Sequence, residues 1–141
     1  MRYHALIRTH HITSRKKVAT LRQAASVHNC FVLLRSGGIP GIMYVESKEK
    51  DAVEMWVSVV RSLRYKDFQL VTRPGVVTEE DQNQNDNEKP KEDKKGNRRG
   101  VERDRDPRAR LEEVETVKEF ASIMEEKGIW RWWRKGMGYM G

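Results

Sequence analysis

Histidine, arginine and lysine gather in three short stretches of this 141-residue chain. His10 and His11 are followed by Arg15, Lys16 and Lys17. Arg35 precedes a Gly/Pro stretch, and Arg64 and Lys66 flank Tyr65. Such a set suits the capture of a polyanion, because affinity for a nucleic-acid backbone grows with the number of phosphates neutralised and several cations must converge. Specificity for RNA would then come from stacking or edge contacts with unpaired bases, which Tyr65 and the histidines are equipped to make. The distribution of charge agrees. Residues 1–77 carry 13 Lys and Arg against 5 Asp and Glu, residues 78–110 carry 10 of each, and residues 111–141 carry 5 against 6. The excess behind the net charge of +7 therefore sits on the first block. RNA or DNA is the favoured partner class for that block, with an anionic membrane surface the weaker one. A solubilising basic surface is the plain alternative.

Other chemistries find little support. His10, His11, His28 and Cys30 match no structural zinc spacing, and adjacent histidines on a strand point to opposite faces. Ser36-Gly37-Gly38 leads to Pro40 rather than to a Lys-Ser/Thr pair opening a helix, so it is not a phosphate loop. No nucleophile–base pair follows from the spacing. A non-enzymatic protein with no cofactor and no metal is expected. One cysteine excludes a disulfide framework and points to a reduced compartment. The N-terminus lacks the pattern of a signal peptide, and no apolar run approaches the roughly 20 residues that span a bilayer. A soluble intracellular protein is expected.

The elements that must position the basic residues can be read in order. Residues 3–9 have strand character. Thr13 or Ser14 can cap a helix whose Val18, Leu21, Ala25 and His28 share one face. Arg15, Lys16 and Lys17 fall in its first turn, where the helix dipole disfavours cations, and this hints at an anionic partner. Residues 30–35 form a short strand. Pro40 and Gly41 suit a turn, type II if Gly41 takes φ > 0, and residues 42–45 form the next strand. Ser47 is the expected cap of a second helix, in which Ala52, Val53, Trp56, Val59, Val60 and Leu63 recur at helical spacing. Residues 68–71 read as a fourth strand, stopped by Arg73-Pro74-Gly75.

The order strand, helix, strand, strand, helix, strand predicts an α+β class, specifically a ferredoxin-like βαββαβ sandwich with both helices on one face. Alternation then places Met43 and Val45 on the opposite face from Ile42 and Tyr44. It separates Val32 and Leu34 from Phe31 and Leu33 in the same way. Both faces come out apolar, whereas an open sheet should be polar on one side. Something must cover the second face.

Residues 78–110 are nearly devoid of apolar side chains and cannot offset their ordering entropy, so a disordered polyampholyte insert is expected there. Residues 111–141 recover a pattern and belong to the same domain as residues 1–77. Val114, Val117, Ala121 and Met124 form one helical stripe, with Phe120 and Ile123 beside it. Glu112, Glu113 and Glu115 suit the helix start, and Lys127 and Gly128 its end. Trp130, Trp132 and Trp133 follow, interleaved with Arg131, Arg134 and Lys135. They could stack on bases, but a lid packed on the uncovered sheet face is favoured. Tyr44 likewise reads as core rather than as an RNA-binding platform.

Taken together, Tyr3, His10-His11-Ile12, Ser14, Lys16-Lys17, the run from Gly38 to Glu46, Trp56 and Leu63-Arg64-Tyr65-Lys66 resemble one family. It is the C-terminal domain of the small nuclear ribonucleoprotein pre-mRNA-processing factor three, also found at the end of certain RWD-domain-containing proteins. The aromatic and glycine-rich stretch from Glu115 to Gly138 looks like the tail of those relatives. The resemblance implies a ferredoxin-like fold and, for the splicing factor, binding of small nuclear RNA as a single strand and at a duplex end. It also implies a nuclear location and a role in pre-mRNA splicing. The chain reads as a short relative or a fragment of such a protein. The expected RNA contacts are His10, His11, Arg15, Lys16, Lys17, Arg35, Arg64, Tyr65 and Lys66. The alternative is a protein-interaction module that docks a partner through the Trp-rich tail or a sheet edge.

Overall fold

Strand β1 (Tyr3–Thr9) leads into helix α1 (Arg15–Val27), and strands β2 (Phe31–Arg35) and β3 (Gly41–Ser47) form the hairpin that follows. Helix α2 (Lys50–Ser62) precedes β4 (Gln69–Val76). Then come β5 (Arg110–Val114), α3 (Val117–Glu126) and α4 (Trp130–Met137). The structure is a computed structural model and describes residues 1–78, 81 and 109–139. Among the described residues the architecture is α+β, a five-stranded mixed sheet with four helices, in the strand order β4-β1-β3-β2-β5. The pairs β4·β1, β1·β3 and β3·β2 are antiparallel, and β5 runs parallel to β2.

Two apolar layers hold the sheet. Val32, Leu34, Met43 and Val45 pack with α1 and α2. Val18, Leu21 and Ala25 are buried at the predicted spacing, while His28 ends α1 as a half-buried cap residue. Trp56 is fully buried, and its indole N–H donates to the Leu21 carbonyl at 3.1 Å, which ties α2 to α1. On the other face Phe31, Leu33, Ile42 and Tyr44 pack against Phe120, Met124, Ile129, Trp133 and Met137. The apolar second face is thus closed by α3 and α4, the cover that its alternation demanded.

Several local expectations are corrected. The fourth strand does not stop at residue 71 but runs through Pro74-Gly75 to Val76. It lies at the outside of the described sheet, where the missing N–H of a proline breaks no ladder, and register shifts along β1 accommodate the irregularity. Ser47 is not the cap of α2. It ends β3, paired with Tyr3, and its hydroxyl donates to the Asn29 carbonyl at 3.1 Å, so Glu49 takes the cap position. Gly41 is not at positive φ; it opens β3 after a cis Ile39–Pro40 bond. Glycine is required there by close approach, since a Cβ would stand 2.5 Å from Thr9 Oγ1 and 2.8 Å from Ile12 Cγ1.

The largest correction concerns residues 110–114, read as insert and helix start but folded as β5. Leu111 pairs with Val32 and is buried in the α1/α2 layer, a gain that a solvent-facing helical turn would forgo. Helix α3 begins after Thr116, whose hydroxyl accepts from the Glu119 N–H in a capping box. Arg110 therefore belongs to the sheet. The remainder of the expected disordered insert lies outside the described residues, except Thr78 and Asp81, which bond each other through side chain and backbone, and Ala109.

Candidate nucleic-acid interface

The C-terminal ends of β1, β2 and β5 and the N-terminal ends of β3 and β4 lie at one end of the sheet, as the strand registers require. Three loops meet there. The His10 N–H donates to the Lys66 carbonyl at 2.9 Å, and the Gly41 N–H donates to the His10 carbonyl at 3.2 Å. Lys17 Nζ lies 4.8 Å from the centre of the Tyr65 ring. The segments carrying the predicted contacts, well separated in sequence, therefore converge. Between them opens a groove of about 480 Å³ whose walls include Arg8, His10, Ile39, Pro40, Asp67 and Phe68.

Within this cluster the nine predicted residues play different parts. His11, Lys16, Arg64 and Lys66 are exposed. The side chains of Lys16, Arg64 and Lys66 have no hydrogen-bond or ion-pair partner among the described residues. His10 faces the groove with Nδ1 3.3 Å from Asp67 Oδ2. Lys17 is half-buried over Tyr65. Arg15, by contrast, is committed to the fold: its guanidinium grips Glu113 of β5 with two bonds of 3.1 and 2.7 Å. That bond, helped by the Ser36 hydroxyl at 3.0 Å, holds the Glu113 carboxyl below its ordinary range. Arg35 is committed likewise, donating to the carbonyls of Glu115 at 2.9 Å and Pro40 at 3.0 Å. Tyr65 is corrected outright as a stacking residue. It is 8 % exposed, packed in the α1/α2 layer, and burial pushes its hydroxyl up to about 12.

Sequence reasoning missed Arg8, Asp67 and Gln69. Arg8 reaches Gln69 Oε1 with Nε at 3.2 Å and Nη2 at 2.9 Å. Its signal was its place at the end of β1, one residue from the basic loop. Asp67 lies in the connection between the second helix and the fourth strand, where no local pattern marks it. Both Arg64 (φ 58°) and Asp67 (φ 56°) take left-handed backbone there.

A second polar cluster, also missed, lies under the C-terminal cover. Tyr44 is 1 % exposed and core, as expected; its hydroxyl donates to Glu46 Oε1 at 2.8 Å and lies 3.1 Å from His4 Nδ1. Glu46 also meets Arg2 at 3.4 Å and Lys127 at 3.3 Å. His4 stacks on Trp132 with ring centres 3.8 Å apart, and its Nε2 lies 3.4 Å from Asp81 Oδ2. Burial outweighs the nearby carboxylates and lowers the pKa of His4. The alternation that put Leu6 and Tyr44 on the second face carries His4 and Glu46 with them. Trp133 is buried against Phe120, and Trp130 and Trp132 are half-buried. Burial raises the Cys30 thiol to about 12. Among the described residues no group of His, Cys, Asp and Glu is placed to hold a metal ion, and no helix is long and apolar enough to cross a membrane.

No protein-family model matches the chain, and no curated protein matches it.

Proposed function

We propose that this protein is an RNA-binding module that captures single-stranded or duplex-end RNA at the basic end of its sheet, binding rather than catalysing. The observation that carries the reading is the convergence at one end of the sheet of the separate segments that bear His10, His11, Lys16, Lys17, Arg64 and Lys66, beside a groove that His10 and Arg8 line. Lys16, Arg64 and Lys66 have no acidic partner among the described residues, so no ion pair there stands in the way of a polyanion. The first turn of α1 holds no acidic residue, and its dipole and its lysines attract the same phosphates. The antiparallel order β4-β1-β3-β2 with two helices on one face supports a ferredoxin-like reading of the fold, with β5, α3 and α4 added to it. That reading accords with the resemblance to the splicing-factor domain, which favours a small nuclear RNA as ligand and the nucleus as location. Docking of a protein through the tryptophans is the weaker reading, because Trp133 is 2 % exposed and all three tryptophans pack in the cover of the sheet.

The test is fluorescence anisotropy with short single-stranded and hairpin RNAs across a salt series. The expected outcome is binding that weakens linearly with the logarithm of salt, with a slope reporting about three to five neutralised phosphates. Salt-insensitive binding, or none at low salt by the folded protein, would overturn the proposal.

A further inference from the structure

We propose that the groove at the basic end seats a ribonucleotide and that Asp67 accepts a hydrogen bond from its 2′-hydroxyl, so that the site prefers RNA to DNA. The inference rests on the RNA-binding reading and adds the group that tells the two nucleic acids apart. Asp67 is the acidic residue of the groove wall, its side chain 65 % exposed in a wall that also carries Arg8 and His10. A carboxylate there repels phosphate, so it works against capture of a bare backbone. What a carboxylate can do is accept hydrogen bonds. The sugar of every ribonucleotide offers a hydroxyl donor beside its 3′ phosphate, and DNA offers none there.

The placement fits that role. Lys66, one residue away, is exposed and has no ion-pair partner among the described residues, and adjacent Cα atoms stand only about 3.8 Å apart. A phosphate held by Lys66 would put its own sugar within reach of the neighbouring carboxylate. His10 Nδ1 engages Asp67 Oδ2 and steadies it, while Oδ1 has no partner among the described residues. Gln69 Oε1 is already taken by Arg8, so it does not compete as an acceptor. Ile39, 64 % exposed, with Pro40 and the half-buried Phe68 supply an apolar wall for the base, and Arg61 covers Phe68 with its guanidinium 5.0 Å from the ring centre. The groove volume falls within the range of small-ligand sites. Asp67 also holds a left-handed φ of 56°, which glycine or asparagine would satisfy equally well without bringing a charge.

That backbone supplies a benign test, since Asp67→Gly removes the carboxylate and suits the conformation. Binding is measured by anisotropy for one short single-stranded sequence made as RNA, as DNA and as 2′-O-methyl RNA. The wild-type protein is expected to bind RNA about tenfold more tightly than either other strand, the worth of one hydrogen bond to a charged acceptor. In Asp67→Gly, checked for an unchanged melting temperature, that preference falls to about twofold or less. Asp67→Asn, which keeps a neutral acceptor, lies between. Equal tightening of RNA and DNA binding by Asp67→Gly would mean the carboxylate only opposes phosphate and would overturn the inference while leaving RNA binding intact. A preference that survives in Asp67→Gly also overturns it. Failure of the wild-type protein to bind any of the three strands at low salt would remove the RNA-binding reading itself.

Discussion

On the α1/α2 face the sheet is closed by a nearly uniform apolar set running from Ala5 and Ile7 to Val57 and Val60, with Trp56 at its centre. The α3/α4 face is richer in aromatic side chains, with Phe31, Tyr44, Phe120 and Trp133 buried, and it also buries His4 and Glu46, with Arg2, Lys127 and Asp81 at their edge. The first face is built by helices that follow directly from the strands they cover. The second is closed by a segment that returns after a long connection. Apolar surface is non-directional and cannot by itself select one seating of such a segment. Bonds from Glu46 to Lys127 and the stack of Trp132 on His4 can, because they demand fixed geometry. We therefore read the dry face as the source of stability and the polar one as the source of register.

The sharpest way to break this contrast is at the two buried tryptophans. Trp56→Ala should cost about 4 kcal/mol and unfold much of the population at 37 °C. The milder pair Trp56→Phe and Trp133→Phe sharpens it. Trp56 donates to Leu21, whereas the buried Trp133 Nε1 has no partner among the described residues. Trp56→Phe should therefore be the more damaging by about 1 kcal/mol in denaturant titrations. Next in size is Glu46→Ala, which leaves Arg2, Lys127 and the Tyr44 hydroxyl without their acceptor. It should cost about 2 kcal/mol and raise amide exchange in α3 and α4 more than in α1 and α2.

Acid separates the faces by pH. Burial lowers the pKa of His4 from 6.5, so the folded chain keeps it neutral where the unfolded chain takes up a proton. Its contribution is complete above about pH 7 and declines as pH falls below 6.5. Glu113, lowered from 4.5 chiefly by its bond to Arg15, contributes above that value and is lost only at lower pH. Melting temperature should therefore drop between pH 7 and pH 5, and His4→Gln should flatten that drop. The smallest effects belong to the basic end. Arg15→Ala should lower the melting temperature only slightly, as the Arg15 end of the pair is exposed, whereas Lys16→Ala should leave melting unchanged and weaken RNA binding about two- to threefold.

Much of this was legible in the sequence. The parity of residues 31–34 and 42–45 gave both faces of the sheet correctly, because strand alternation depends on nothing beyond the strand itself. From that alone the need for a cover followed. What escaped were features decided by distant partners. Residues 110–114 are a strand because β2 has a free edge and Arg15 waits for Glu113, neither of which a local pattern encodes. Arg15, Arg35 and Tyr65 have the right types for RNA contact, yet tertiary partners claim them. His4 looked like an ordinary strand residue until Trp132 and Tyr44 closed around it.

The central claim is tested most directly by two charge reversals of equal size at opposite ends of the sheet. Lys16→Glu with Lys66→Glu alters the basic end. Lys48→Glu with Lys50→Glu alters the end where Ser47 pairs with Tyr3. Both double variants are compared with the wild-type protein by RNA anisotropy at one salt concentration, with melting curves alongside. The account predicts that the first loses at least about tenfold in affinity while remaining folded, and that the second changes by about twofold at most. Equal losses in the two would contradict it, for they would mean that RNA responds to net charge and not to this site.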